Sequence, residues 1–310
     1  MPAFLPRERY DAALAFVRQN ARPLDVALLD HALGEGSAEA ALVALSEFQN
    51  PDGGFGGGLE PDTQSPASTG IATSVALRLL IRLGAPAKHP MVAGALSWLG
   101  ESLDREAGVW WIVGPEVNDA PHAPWWTWSA DAIGRDSLAG AQSGFVFNPS
   151  AELLGQLYAY RDAAPVDAVA VAEARLRRAV AQTDVIESPY DLKCAIRLAE
   201  TSNAPPDLVA AAEALIRRSL DARAADDEHG TASEFAPTPT SRFADAVAGR
   251  IDADLDALVA GQEADGGWGL FWDWSFVDAK AWVKVKKDWR GHATREALET
   301  LRAYGRVESV

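Results

Sequence analysis

An eight-residue pattern written twice, once toward each end of the chain, constrains the fold more than any other feature. Gln49-Asn50-Pro51-Asp52-Gly53-Gly54-Phe55-Gly56 returns as Gln262-Glu263-Ala264-Asp265-Gly266-Gly267-Trp268-Gly269, each copy directly behind an amphipathic helical stretch. Repetition at this distance points to an array of similar helical units. In each copy the preceding helix ends at Gln, Asp-Gly-Gly supplies a turn with positive φ, and the aromatic folds back onto the helix just left. The pattern is a clamp between a helix and the loop that follows it.

Elsewhere, apolar residues recur at helical spacing and almost nowhere alternate as in a strand. The helical segments lie near 7–20, 22–34, 37–50, 66–84, 90–105, 149–163, 166–183, 189–202, 205–223, 239–247, 251–263 and 290–305. Four alternate helices are expected to open with proline behind a capping residue, at Ser65-Pro66, Asn148-Pro149, Ser188-Pro189 and Thr238-Pro239. The last is expected to start near Gly291-His292-Ala293-Thr294. Connections entering this alternate set are mostly long, at 51–65, 106–148, 224–238 and 264–289, and those leaving it are short. This asymmetry predicts one all-α domain over 1–310, an (α/α)6 double ring of about twelve helices whose long loops gather at one mouth. The mouth would hold an aromatic-rich loop at 106–148 and a basic loop at 264–289, and the helix N-termini there would favour anionic groups.

At 310 residues and 48% hydrophobic composition the chain can bury a large core. Its formal charge of −16, from 44 acids against 28 bases, argues against nonspecific binding to nucleic acid or to an anionic membrane. A polyanionic ligand would need a local basic patch. No apolar run reaches the ~20 residues of a membrane span. The first residues mix Arg7, Glu8, Arg9 and Asp11 into apolar positions, unlike a secretory signal. A single cysteine, Cys194, suits a reducing compartment, so a cytoplasmic protein is expected. Nucleophile elbow, Walker loop, dinucleotide fingerprint and HExxH are all absent, and no cofactor is expected.

Several residues carry candidate chemistry. Glu60 and Asp62, in Gly56-Gly57-Gly58-Leu59-Glu60-Pro61-Asp62, stand just before an alternate helix, where two carboxyls serve as acid and base or simply cap neighbouring amides. Loop 106–148 holds Trp110, Trp111, His122, Trp125, Trp126 and Trp128 with Glu116, Asp119, Asp131 and Asp136, a set suited to a lid, to stacking or to facing a cation. Glu152, Gln156 and Tyr160 form a polar stripe at spacing of four on an apolar helix. Trp272, Asp273 and Trp274 precede Ala279-Lys280-Ala281-Trp282-Val283-Lys284-Val285-Lys286, whose alternation reads as a short ribbon with lysines on one side. That basic patch either receives an anion or is a solvated edge. Asp191, Cys194 and His292 have side chains that bind zinc, but Ser188-Pro189-Tyr190-Asp191 already makes a helix cap and Cys194 fits a small apolar site, so no metal is assigned.

The stretch from Gln49 through Asp52-Gly53-Gly54-Phe55-Gly56 to Ser65-Pro66-Ala67-Ser68-Thr69-Gly70-Ile71-Ala72-Thr73-Ser74 resembles the Gln/Trp repeat and following inner helix of squalene-hopene cyclases. That superfamily also includes the β subunits of protein prenyltransferases. Gln262 to Trp268 is similar to a second repeat, and 91–111, with Trp98, Gly108 and Trp110, to a degenerate third. The resemblance implies the double ring. It stops short of the chemistry: the Asp-x-Asp-Asp motif of class II terpene cyclases is absent, and Asp191-Leu192-Lys193-Cys194 has one residue more than the Asp-x-Cys of the prenyltransferases.

The expected function is an enzyme acting on a small apolar, isoprenoid substrate in a central cavity. Asp62, kept neutral by burial, or Glu60 would transfer the proton, and Trp126, Trp272 and Trp274 would face the developing cation. His122, Asp273, Lys280 and Glu152 complete the expected substrate-binding set. Two alternatives use the same residues: a carbohydrate-active enzyme with paired carboxylates and stacking tryptophans, and a noncatalytic toroid that holds a lipid or peptide.

Overall fold

A computed structural model describes residues 2–129, 145–223 and 230–308. Among them are twelve α-helices and no strand, in keeping with the all-α expectation. In chain order these are α1 (Arg7–Asn20), α2 (Pro23–Leu33), α3 (Ala38–Ser46), α4 (Gly70–Arg82), α5 (Pro90–Ser102) and α6 (Ser150–Ala159). They continue as α7 (Val166–Gln182), α8 (Pro189–Ala199), α9 (Pro206–Ala222), α10 (Ala232–Phe235), α11 (Ala244–Ala260) and α12 (Ala279–Ala303). The chain divides into a central unit, Ser46–Ala224, and a terminal unit, Met1–Leu45 with Ala225–Val310.

In the central unit α4, α6 and α8 pack side by side, and α5, α7 and α9 form a second row joined to the first by the hairpins α4/α5, α6/α7 and α8/α9. Burial separates the rows: α6 is buried continuously from Ser150 to Tyr158, whereas α7 buries only a stripe of Ala168, Ala172, Leu176, Ala179 and Val180. A helix buried on all sides needs neighbours on all sides, and the stripe is that of a helix with one face to water.

In the terminal unit α12 packs on α1, α2 and α11 around a core that includes Leu5, Val17, Leu29, Leu255, Trp268 and Leu298. The two chain ends meet there. Leu5 N–H donates to Arg306 O at 2.7 Å, and the Arg306 guanidinium reaches Asp252 and Asp256 on α11 at 2.6 and 2.7 Å.

Both clamps form, and they form alike. Gln49 Nε2 donates to Gly53 O at 2.9 Å and to Met91 O on α5 at 3.0 Å; Gln262 Nε2 donates to Gly266 O at 2.8 Å and to Arg9 O on α1 at 2.8 Å. Asp52 accepts from Gly54 N–H at 3.0 Å and Asp265 from Gly267 N–H at 3.1 Å, each an Asx turn that places the middle glycine at φ 92° or 91°. A Cβ on Gly53 would lie 2.4 Å from Gly94 O of α5, and one on Gly266 2.7 Å from Ala12 O of α1. A Cβ on Gly54 would strike Trp98, and one on Gly267 would strike Phe16. Met91, Gly94 and Trp98 on α5 therefore correspond to Arg9, Ala12 and Phe16 on α1, with the same spacing. The N-terminal helix seats the second clamp as α5 seats the first.

A hydroxyl on the following helix completes each clamp: Phe55 N–H donates to Thr73 Oγ1 at 3.1 Å, and Trp268 N–H to Thr294 Oγ1 at 3.0 Å. The third repeat keeps this part, and with it the indole bond of the second clamp. Trp110 N–H donates to Ser150 Oγ at 2.9 Å and its indole N–H to Leu99 O at 2.9 Å, just as the Trp268 indole donates to Leu258 O at 2.8 Å. No Gln stands at its start, and an Asp104↔Val109 bridge with Gly108 at φ 71° makes the turn.

Several helix boundaries differ from expectation. The 239–247 and 251–263 segments are one helix, α11, which runs through Gly249; Thr238 and Ser241 instead form a hydroxyl-linked turn at Pro239. The count of twelve is made up by the short α10. Helix α4 begins at Gly70, capped by Thr69, whose side chain accepts from Ala72 N–H, and not behind Ser65. Pro149 occupies the cap position of α6. Ser188 caps α8 as expected. The largest correction concerns 279–289, which is not a ribbon. Asp278 accepts from Ala281 N–H at 2.9 Å and starts α12 there, so the basic residues of the expected 264–289 loop stand on a helix. Trp282, Val285 and Asp288 are buried at a spacing of three, and that buried face overrides the apparent alternation.

Candidate functional site

The first clamp leads into a loop, 56–69, that is closed on itself and on the segment 112–123. Gly57 and Gly58, at φ 62° and 81°, turn the chain. Gly57 N–H then donates to Ser65 O at 2.8 Å, Gln64 N–H to Pro121 O at 2.9 Å, Ala123 N–H to Asp62 O at 2.8 Å, and Ile71 N–H to Ile112 O at 3.0 Å. These bonds satisfy the backbone of a segment that is otherwise shut away from water, as buried amides require. Glu60 and Asp62 consequently lie 7% and 3% exposed, with Thr63 and Ser65 buried beside them. Glu60 Oε2 accepts from Thr63 N–H at 3.1 Å.

The aromatic segment joins this loop directly, through a Thr63↔His122 bridge. His122 Nδ1 donates to Ala120 O at 2.7 Å, and Nε2 lies 3.2 Å from Thr127 Oγ1. Trp126, on a short 3-10 turn (Pro124–Trp126), is buried, and its indole N–H has no hydrogen-bond partner among the described residues. Asn118 pins the segment's end by bonding both the N–H and the carbonyl of Trp128. Asp131 and Asp136 lie outside the described residues.

Glu152 is placed differently from a free substrate ligand. Buried on α6, it pairs with Arg78 of α4 at 3.1 Å and with Arg197 of α8 at 2.6 Å, and Gln156 Nε2 donates to it at 3.2 Å. Burial alone would raise its pKa, but the two guanidiniums outweigh this and hold the carboxyl below its ordinary value. The residue ties three helices together. Beneath it Cys194 Sγ lies 3.6 Å from Glu152 and from Asn148; burial pushes the thiol pKa well up, and the adjacent carboxylate adds to the shift, so it remains a thiol.

The terminal unit holds the other sequence candidates. Trp274 is fully buried and packs on Trp282 at 5.3 Å between ring centroids, while Trp272 stands edge-on to Phe271 and Trp289. Asp273 is exposed and accepts from Ser275 N–H at 2.7 Å. Lys280 is exposed on the first turn of α12. His292 lies 3.3 Å from Asp25 and 3.1 Å from Glu296. Burial lowers its pKa, yet Glu296 and Asp25 outweigh that and raise it above its ordinary value. Asp191 and Cys194 belong to the central unit and His292 to the terminal one, and among the described residues no three His, Cys, Asp or Glu side chains form a ligand set.

Sequence reasoning missed the cluster that surrounds His292. Asp25, 1% exposed, pairs with Arg22 at 2.8 Å and with Arg295 at 3.3 Å, and Arg295 reaches Glu299 at 3.1 Å. Burial acts to raise the Asp25 pKa, but Arg22, His292 and Arg295 hold it far below the usual carboxylate range. Only the i, i+3 and i, i+4 spacings of Arg22 with Asp25 and of Arg295 with Glu299 are visible locally.

No family model matches the chain, and no curated protein or solved structure matches it either.

Proposed function

We propose that the protein is an enzyme of terpenoid-cyclase type that protonates an apolar, isoprenoid substrate, with Asp62 as the acid. The observation that supports this reading is the burial of Glu60 and Asp62 in a loop fastened by its own backbone to the aromatic segment 110–128. A carboxyl placed in such surroundings meets an alkene without competition from water. In the proposed step the Asp62 O–H bond breaks as a C–H bond forms on the alkene, whose π electrons are consumed. The resulting cation faces the Trp126 ring and discharges by losing a proton to a base. Glu60 positions the loop by accepting from Thr63 N–H. Trp126 also brings to the same segment an indole N–H that has no partner among the described residues, a donor for an acceptor on the substrate or for an ordered water.

The test is product formation. The purified full-length protein is incubated with squalene and with linear prenyl diphosphates of several lengths, and extracts are resolved by gas chromatography with mass detection. Conversion of at least one of them to a cyclised or isomerised product is expected. Recovery of every substrate unchanged would remove the cyclase reading.

A further inference from the structure

Past the second clamp the terminal unit displays a strip, 271–288, in which exposed apolar side chains stand beside four lysines, with Asp273, Asp278 and Asp288 as its acids. Phe271, Phe276 and Val277 are 64%, 78% and 51% exposed, and Val283 on α12 is 73% exposed. Lys280, Lys284, Lys286 and Lys287 stand exposed among them, with Lys284 paired to Asp288 at 2.6 Å. Lys280, Val283, Lys284 and Lys287 recur at spacings of three and four and so share one face of the helix. The opposite face is fixed, because Trp282 is buried against Trp274 and Val285 is fully buried. The strip is therefore a held platform with apolar side chains and ammonium groups turned outward, in a chain of net charge −16.

We propose that this strip, the loop 271–278 with the first turns of α12, docks the protein on a lipid bilayer that carries anionic headgroups. Exposed phenylalanines next to lysines are the composition of an interfacial anchor: the rings enter the acyl boundary while the lysine stems follow the apolar surface and the ammonium groups meet phosphate. A protein partner would select against this composition, since lysine is depleted where proteins bury surface against one another. The negative charge of the rest of the chain does not cancel the attraction, because beyond about 8 Å it is screened at physiological salt and the strip is what makes contact. No described helix is long and apolar enough to cross a membrane, so the attachment lies in the interface plane. The inference is independent of whether Asp62 is catalytic.

The experiment is co-sedimentation of the full-length protein with vesicles of phosphatidylcholine, either alone or with about one third phosphatidylserine. Binding to the mixed vesicles is expected, weaker binding to phosphatidylcholine alone, and release by added salt. Replacing both Lys286→Glu and Lys287→Glu is expected to lower partitioning onto the anionic vesicles about 25-fold or more. Replacing Phe276→Ser with Val283→Ser is expected to weaken binding to both vesicle types about tenfold. All four positions are exposed, so the variants are expected to keep the circular dichroism spectrum of the parent. Absence of vesicle binding by the parent protein would overturn the proposal, and so would binding that neither variant changes. Self-association abolished by these substitutions, without vesicle binding, would assign the strip to a second copy of the chain instead.

Discussion

The loops that leave the two clamps share an origin and nothing afterwards. Residues 49–56 and 262–269 make the same turn, the same glutamine bridge and the same bond from an aromatic N–H to a threonine hydroxyl. After the first, the chain seals itself and buries two carboxyls; after the second, it exposes two phenylalanines and runs into a lysine-bearing helix. Even the tie from the clamp aspartate to the chain beyond it differs in kind. Asp52 accepts from the Ser68 hydroxyl at 2.7 Å, whereas Asp265 pairs with Arg290 at 2.8 Å. A structural unit that is satisfied locally leaves the sequence beyond it free to diverge. The chemistry of each unit then has to be read from the loop, not from the repeat.

The largest expected effect separates the two loops by function. Asp62→Asn keeps the shape of the buried side chain and removes its acid, so turnover of the isoprenoid substrate should fall by roughly 10²- to 10⁴-fold while the unfolding midpoint stays near that of the parent. Equal loss of activity and of fold would make Asp62 a packing residue.

Next come the clamp glycines. Gly53→Ala and Gly266→Ala each force a Cβ into a backbone carbonyl from positive φ, so each should cost about 3 kcal/mol in denaturant unfolding. Similar losses would establish that α1 and α5 are equivalent seats. A tolerated Gly266→Ala would show that the second clamp is looser than its bonds suggest.

A smaller effect tests the third repeat. Ser150→Ala removes the acceptor of the Trp110 N–H, as Thr73→Val and Thr294→Val do for Phe55 and Trp268, and each should cost about 1 to 2 kcal/mol. If only the two threonine variants are destabilised, 104–110 is a coincidental turn.

The smallest effect is a pH dependence seated in the terminal unit. His292 has a raised folded pKa, so its contribution is complete below its unfolded value of 6.5 and is lost as pH rises through the folded one. Thermal midpoints should decline as the pH is raised past 6.5, and His292→Gln should flatten that decline. Asp25 and Glu152 work in the other direction: both are held low, so their contributions are lost as pH falls below the ordinary carboxylate range, in both units.

What was legible in the sequence followed how near each partner stands along the chain. The clamps could be read because Gln, Asp, both glycines and the aromatic lie within eight residues. The hydroxyls that complete them lie 18, 40 and 26 residues downstream, at no fixed distance, and so gave no pattern. Glu152 was visible as part of a polar stripe, but Arg78 and Arg197, 74 and 45 residues away, turn it from a ligand candidate into a helix tie. Local alternation misled at 279–286, where Trp282 and Val285 chose the buried face of a helix once tertiary neighbours existed. Glu60 and Asp62 were found from three glycines and a proline, and their burial was foreseeable only as a requirement of the chemistry assigned to them.

Proton transfer from a carboxyl to an alkene is tested most directly by running the reaction in deuterium oxide. The exchangeable proton of Asp62 equilibrates with solvent before each turnover, so the product is expected to carry one deuterium at the protonated carbon and to gain one mass unit. A product formed in deuterium oxide with no gain in mass would contradict protonation as the first step, and with it the role assigned to Asp62.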